Sequence, residues 1–477
     1  MELLNAINDF LWTYIVITML VVSALYFTYR TRGLQFRMVG DMIKVLLGRN
    51  ITGSNGREKA DGTAHDGAGK DAGLKKIGSF QAFAVSLSSR VGTGNLAGVA
   101  SAIFIGGPGA VFWMWVMALL GSATAFVEAT LAQLYKRRGQ ESYYGGPAYY
   151  METGLGKRWM GILFAIMITV TFGMANQMVQ STTLCDALSD AFLWNKAVVG
   201  AVVTVATLLI VFGGITRISR FASLVVPFMA LGFILLSMVV MVMYITEIPH
   251  VLRLIVESAF GVGQVAGGAM GLAVMQGVKR GLFSNEAGEG SAPNAAAIAD
   301  TSHPVKQGLL QSFGVFTDTL IICSCTAFIV LLSGRYDCGK DGILLTAEAL
   351  DSEVGSVGRY FITAAIFLFA YSTIIANYFY GETNIRFITQ KRWAVQIFRV
   401  VTGVMVMSGA LMDLQTAFSF VDIVMGLMTI LNLIAILLLS PKAVKLLRHY
   451  EEQKRQGVEP TFRATDIDGM KDVECWK

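Results

Sequence analysis

The sequence predicts an all-α protein that crosses a membrane about eleven times, and three observations carry that reading. Of 477 residues, 54% are hydrophobic and only 15% charged, with a mean hydropathy of +0.57. The charges collect between apolar runs, each long enough to cross a hydrocarbon core of about 30 Å, which takes about 20 helical residues. Two of those runs are broken midway by glycine and short polar residues. A soluble chain of this length needs a charged surface, which this one lacks. The net charge of +5 comes from basic residues in the connections, so it reports membrane topology and not nucleic-acid binding.

The apolar runs lie at roughly 9–30, 79–105, 110–135, 158–184, 194–214, 221–245, 264–289, 307–333, 357–381, 393–412 and 415–440. The run 264–289 is the weakest, glycine-rich and interrupted by Lys279, Arg280, Asn285 and Glu286. Met1 to Phe10 carries Glu2 and Asp9 but no Lys or Arg, which argues against a cleaved signal peptide. Residues 1–30 are therefore expected to form a retained leading helix. The segment 31–78 reads as a cytoplasmic loop, with Gly48 to Lys76 too polar to bury a core and so disordered; the tail 441–477 reads the same way. Nearly all basic residues of the connections fall on one side, which marks it as the cytoplasm and puts the N-terminus outside and the C-terminus inside. The five cysteines show no C-x-x-C spacing and are expected to be free thiols. The four histidines lie in or beside polar segments, with no visible buried pair for a metal or a proton relay.

The first break is Val91-Gly92-Thr93-Gly94-Asn95-Leu96-Ala97-Gly98. A helix entering at Ser79 rises about 1.5 Å per residue and reaches Val91 after roughly 20 Å, near mid-bilayer. Unpaired backbone at that depth is tolerated only inside protein or beside a polar cavity. The second break is the stretch from Gly281 to Ser291, with Phe283, Ser284, Asn285 and Glu286 at its centre. Five spans run from each break, giving one unit at 79–245 and another at 246–440. Units of odd span number must lie in opposite orientation, the inverted-repeat plan of many carriers. Close-packed Gly/Ala helix contacts are a simpler account, but they do not call for Asn, Glu and Ser in the same few positions.

The chemistry these residues offer has two signs. Gly92 and Gly94 permit backbone angles and approach that other residues would not, and Thr93 and Asn95 add short polar groups. A half-helix starting near Asn95 aims free N–H groups inward, suiting a carboxylate. One ending near Val91 aims carbonyls at the same place, suiting a cation. The combination fits a zwitterionic amino acid together with a small metal ion. Ser372 and Thr373 lie about 22 Å along the ninth span at 1.5 Å per residue; they either complete an oxygen cage for a hard cation or bond back to their own helix. Asn176, Gln177 and Gln180 either contact a zwitterion or bond between helices. Four charges fall inside spans, Arg90, Glu128, Glu286 and Asp318, and each needs a partner or water. Arg90 is expected to pair with Glu286 or Asp318 in one state of a gate, and Glu128 to reach the cytoplasmic interface. An intramembrane hydrolase would need a nucleophile with a base, or ligating histidines, within the membrane. Neither H-E-x-x-H nor G-x-S-x-G occurs, so no enzyme and no cofactor is expected.

Several motifs together resemble a known family. They are Ser79-Phe80-Gln81-Ala82, Val91-Gly92-Thr93-Gly94-Asn95-Leu96-Ala97-Gly98-Val99-Ala100, Gly106-Gly107-Pro108-Gly109-Ala110-Val111-Phe112-Trp113-Met114-Trp115, Phe283-Ser284-Asn285-Glu286-Ala287-Gly288, Ser291-Ala292-Pro293-Asn294-Ala295-Ala296-Ala297 and His303-Pro304-Val305-Lys306-Gln307-Gly308. From about 78 to 441 the chain resembles the alanine or glycine:cation symporters. The resemblance implies the amino-acid/polyamine/organocation transporter fold: a leading helix, then two inverted five-helix repeats, each with a broken first helix. It also implies sodium-coupled uptake of alanine or glycine by alternating access, in a bacterial inner membrane. Substrate-binding residues are then expected at Thr93, Gly94, Asn95, Gln177, Phe283 and Ser284, with Asn95 also facing a second sodium. By the same resemblance, Ser372 and Thr373 join the backbone carbonyls of Ser88, Val91 and Phe369 around a sodium ion. A proton-driven carrier of another small neutral amino acid is the alternative. Arg90 departs from the small residue expected there, and the 48–76 loop is long.

Overall fold

The structure, a computed structural model, describes residues 7–49, 51, 76–139, 142–261, 268–470 and 472–476. Among these the chain is helical almost throughout, and its only strands are Arg137–Arg138 and Tyr143–Tyr144, paired antiparallel with Arg137 opposite Tyr144.

The helices are α1 (Ile7–Arg30), α2 (Leu34–Arg37), α3 (Val39–Leu46), α4 (Ser79–Arg90), α5 (Gly94–Gly106) and α6 (Gly109–Leu134). There follow α7 (Pro147–Leu155), α8 (Arg158–Phe192), α9 (Lys196–Val211), α10 (Gly214–Met243), α11 (Ile248–Ala259) and α12 (Gly268–Asn285). The rest are α13 (Ala292–Ala296), α14 (Pro304–Leu332), α15 (Gly342–Val354), α16 (Ser356–Ile388), α17 (Arg392–Gly409) and α18 (Leu414–Arg455). Seven of them, α1, α6, α8, α10, α14, α16 and α18, contain stretches long and apolar enough to cross a membrane, and α5 and α9 are shorter apolar helices. Helix stands in each of the eleven intervals named above, the interval 79–105 being divided between α4 and α5.

At the centre, α6 packs against the first half of α14 and against α12, while α8 packs against α16. The close approaches use glycine. A Cβ at Gly121 would lie 3.0 Å from the Ala287 methyl, and one at Gly308 would stand 2.8 Å from the Phe126 ring. In a membrane, where lipid competes for apolar surface, such backbone-close contacts are what holds helices together. Four helices carry a π-helical turn, Leu11–Val16 in α1, Gly94–Gly98 in α5, Thr171–Ala175 in α8 and Phe316–Cys323 in α14. Each such turn loosens the ladder and re-aims side chains, as is frequent at functional sites.

Two expectations are corrected. The segment 31–78 begins as structure: α2 and α3 fill its first part, and Asp41 on α3 pairs with Lys454 at 2.6 Å. Residues 52–75, the polar part read as disordered, lie outside the described residues. The tail is not loose either. Helix α18 continues through Pro441 to Arg455, and the chain beyond it folds back over α6 and the start of α14. Phe462 and Trp476 are buried there. Phe462 N donates to Ser302 O at 3.0 Å, Trp476 Nε1 to Gln133 O at 2.9 Å, and Lys306 pairs with Glu459 at 2.8 Å. His303 and His449, which the sequence did not bring together, have ring nitrogens 3.2 Å apart under this strap. The tail's apolar anchors are too far apart to show any periodicity, so its composition reads as polar.

Candidate functional site

Helix α4 stops where its backbone must turn. Val91 N still closes the last turn on Leu87 O at 2.7 Å, but Val91 itself has φ −78° and ψ 81°, outside the helical region. Gly92 follows because nothing larger fits: a Cβ there would run into Thr373 Oγ1 and stand 3.1 Å from Gln180 Oε1. The restart is held by Asn95, whose Oδ1 accepts from Gly92 N at 2.9 Å. The second break is sharper. Helix α12 ends at Asn285, and Glu286 takes φ +57°, costly for a side chain with a Cβ. Gly288 and Gly290 continue at φ +95° and +86°, which glycine adopts freely. Asn285 Oδ1 accepts from Ala287 N at 3.0 Å before the chain re-enters α13.

The two breaks meet. A Cβ at Gly94 would lie 3.1 Å from both the Phe283 ring and Ser284 Cα. Between them stands Asp318, on the π-helical turn of α14. Its Oδ1 accepts from Asn95 Nδ2 at 2.7 Å; its Oδ2 accepts from Ser284 Oγ at 2.6 Å and from Thr319 Oγ1 at 3.0 Å. Cys323 Sγ lies 3.3 Å from Asn95 Nδ2 and 3.1 Å from Ser284 Oγ. Thr93, Gly94, Asn95, Phe283 and Ser284 are thus one buried cluster, to which Asp318 and Cys323 are added. Asp318 had been assigned to the gate, not to this cluster. Gln177 stands aside: its Nε2 donates to Ile374 O at 3.0 Å. The amide that touches the break is Gln180, whose Oε1 accepts from Thr93 N at 3.2 Å while its Nε2 donates to Asn176 Oδ1 at 2.8 Å. The four-residue spacing of Asn176 and Gln180, which stacks them on one helix face, is the sequence signal that selects this pair over Gln177.

The hydroxyl pair on α16 divides between the two readings left open above. Thr373 reaches across to α4, its Oγ1 donating to Ser88 O at 2.8 Å and lying 3.5 Å from Val91 O. Ser372 bonds back to Phe369 O at 3.0 Å, and its own carbonyl accepts from Ser88 Oγ at 2.9 Å. Ser88, Val91, Phe369, Ser372 and Thr373 therefore lie together at the end of α4, presenting oxygen and no charge. Among the described residues no three His, Cys, Asp or Glu side chains could hold a metal ion.

The buried charges do not pair as expected. Arg90 makes no ion pair with Glu286 or Asp318 in this structure. Its Nη1 donates to Gln311 O at 3.2 Å, and Nε and Nη2 have no partner. Glu286 instead accepts from Ser89 Oγ and, at 2.5 Å, from Ser291 Oγ. Glu128 is likewise not at the interface: it is fully buried and accepts from Gly288 N at 3.2 Å and Asn432 Nδ2 at 3.0 Å. Ser89, next to Arg90 on α4, makes the contact with Glu286 that Arg90 was expected to make, while the Arg90 guanidinium points to Gln311 on α14. A buried pair that sequence reasoning missed joins α12 to α18, with Arg280 Nη2 2.8 Å from Asp422 Oδ2. The Arg280 guanidinium lies 4.1 Å over the Phe418 ring, which in turn meets the Phe283 ring edge-on with centroids 5.3 Å apart. This stack closes one side of the cluster.

Residues 1–464 match the family described as "Sodium:alanine symporter family". The chain is similar to the "Probable sodium/glutamine symporter GlnT" of Bacillus subtilis, 46% identical over 98% of this chain and 94% of that one. It is 47% identical to the "Amino-acid carrier protein AlsT" of the same organism, over 100% and 97%. It is 38% identical to the "Sodium/proton-dependent alanine carrier protein" of Bacillus sp. strain PS3, over 84% and 94%. In fold it is similar to the crystal structure of a mutant manganese transporter from Eremococcus coleocola, with TM-score 0.51 and 13% identity, covering 84% of this chain and 87% of that one.

Proposed function

The chain belongs to the sodium:alanine symporter family, and from that premise we propose that it carries alanine or glycine into the cell together with sodium. It is a multi-pass membrane protein, a cation-coupled amino-acid transporter and not an enzyme. The proposal adds the substrate, the ion and the residues. Thr93, Gly94, Asn95, Phe283 and Ser284 bind the amino acid, with Gln180 and not Gln177 as the amide beside them, and Ser88, Val91, Phe369, Ser372 and Thr373 bind sodium, with Asn95 facing a second ion.

One observation carries the ion site: Thr373 Oγ1 meets the carbonyls of Ser88 and Val91 just where α4 gives up its helix. A helix end of this kind is the negative pole of its dipole, and hydroxyl and carbonyl oxygens are ligands a hard cation accepts. The tightness around Gly94 supports a small side chain on the substrate. The architecture in this reading is eleven spans, with inverted repeats at 79–245 and 246–440 after a leading helix, N-terminus outside and C-terminus in the cytoplasm of a bacterial inner membrane.

The test is uptake of labelled alanine, glycine and glutamine into proteoliposomes under a sodium gradient, a proton gradient, or potassium alone. Sodium-driven alanine or glycine uptake is expected. The name of one 46% identical relative favours glutamine as the second reading, and preferential glutamine uptake would replace the substrate while keeping the ion. Uptake driven by protons alone would reject sodium.

A further inference from the structure

Glu289 is fully buried, and neither of its carboxylate oxygens has a hydrogen-bond partner. It sits between Gly288 and Gly290 in the turn that follows the second break. A Cβ at Gly290 would stand 2.7 Å from Pro147, 2.8 Å from Phe164 and 2.9 Å from Asn432. The turn is wedged against α7, α8 and α18, so Glu289 meets water only if the turn itself moves.

Its surroundings make a lone negative charge untenable. Glu286 on the same turn and Glu128 on α6 lie close enough to repel it; Arg90 on α4 attracts it, and Asp422 on α18 and Tyr380 on α16 also face it. Tyr150 on α7 lies beside Glu128, with its hydroxyl committed to Asn432. Asp422 is already paired with Arg280, and Arg90 is set against three carboxylates, Glu128, Glu286 and Glu289. Glu128 and Glu286 each accept two hydrogen bonds, whereas Glu289 accepts none. Hydrogen bonds from donors are what compensate a buried carboxylate, and an uncompensated one neutralises by taking a proton. The count of donors therefore singles out Glu289.

We propose that Glu289 is a proton-binding site, loaded in this closed arrangement and emptied to water when the turn 286–291 opens. The ligand is a proton, because no hydrogen-bond donor reaches either oxygen of the carboxylate to compensate its charge. By linkage, closing the turn takes up the proton that opening releases.

Infrared spectroscopy on the full-length protein at neutral pH in potassium buffer reads this directly. The parent should show the C=O stretch of a carboxylic acid free of hydrogen bonds, shifted by deuterium oxide. Glu289→Gln should lose that band, and Glu289→Asp, which keeps the acid, should move it. Absence of the band in the parent overturns the proposal. So does a band unchanged in Glu289→Gln, or, where that variant does not fold, one unmoved in Glu289→Asp. A band abolished by replacing potassium with sodium at constant pH would make Glu289 a cation ligand and overturn it as well. The measurement needs no transported amino acid, so it stands or falls apart from the symport reading.

Discussion

Asn95 Nδ2 donates to Asp318 Oδ1 at 2.7 Å, and the opposite oxygen of that carboxylate accepts from Ser284 Oγ at 2.6 Å. One acidic side chain thus clasps both broken helices. Any rearrangement that separates α5 from α12 must release one of these bonds, which places Asp318 at the junction between binding and movement.

Asp318→Asn tests the clasp. It takes the charge off the acceptor shared by both broken helices; the loss of one charge-assisted hydrogen bond, worth about 1.5–3 kcal/mol, should lower alanine affinity at fixed sodium roughly 10- to 100-fold. Asn95→Ala should abolish uptake while the protein still reaches the membrane. Equilibrium binding to purified protein checks both, and parental affinity in either variant would remove that residue from the site.

The proposed sodium ligands are unequal. Thr373 reaches across to α4, while Ser372 is engaged with its own helix. Thr373→Ala should therefore raise the sodium needed for half-maximal alanine binding more than Ser372→Ala, and the double variant should also weaken the dependence of alanine affinity on sodium. Linkage requires each ligand to raise the other's affinity equally, typically about 5- to 150-fold. A sodium midpoint unchanged in the double variant, in a series with potassium holding ionic strength, would rule the site out.

Arg280 and Asp422 form a buried pair, with Lys279 a further 4.0 Å neighbour of Asp422, so neutralising Asp422 leaves the Arg280 guanidinium buried without its carboxylate. Breaking such a pair is destabilising by about 3–5 kcal/mol, whereas replacing both partners is often neutral. Asp422→Asn should lower the melting temperature in detergent more than Arg280→Met combined with Asp422→Leu. Equal loss in both would show that the two charges are not coupled.

The strap that the tail forms over α6 and the start of α14 should respond to pH. Burial first, then the neighbouring charges of His449 and Lys306, hold the His303 pKa well below its ordinary 6.5. Docked, the ring binds a proton more weakly than undocked. Docking is therefore full above 6.5 and weakens as pH falls from there toward the depressed value. Limited proteolysis of the tail should be faster at about pH 5.5 than at about pH 7.5, and His303→Gln should flatten the difference. An equal rate at both pH values in the parent would refute the linkage.

The sequence by itself determined the membrane class and the places where the helices break. Apolar length and the demand that lipid makes on unpaired backbone are both local, so Gly92 with Gly94, and Gly288 with Gly290, announce themselves without any partner. It also supplied Asn95, Ser284 and the hydroxyls of α16, because short polar residues in an apolar run have few other uses. What only the tertiary structure decided is who meets whom: Asp318 with Asn95 and not Arg90, Gln180 and not Gln177 at Thr93, Arg280 with Asp422, and a tail folded down on Phe462 and Trp476. Those contacts join residues far apart in the chain and depend on how each helix is rotated about its axis. A rotation of one residue, about 100° in a helix of 3.6 residues per turn, exchanges one neighbour for another while leaving every local pattern unchanged.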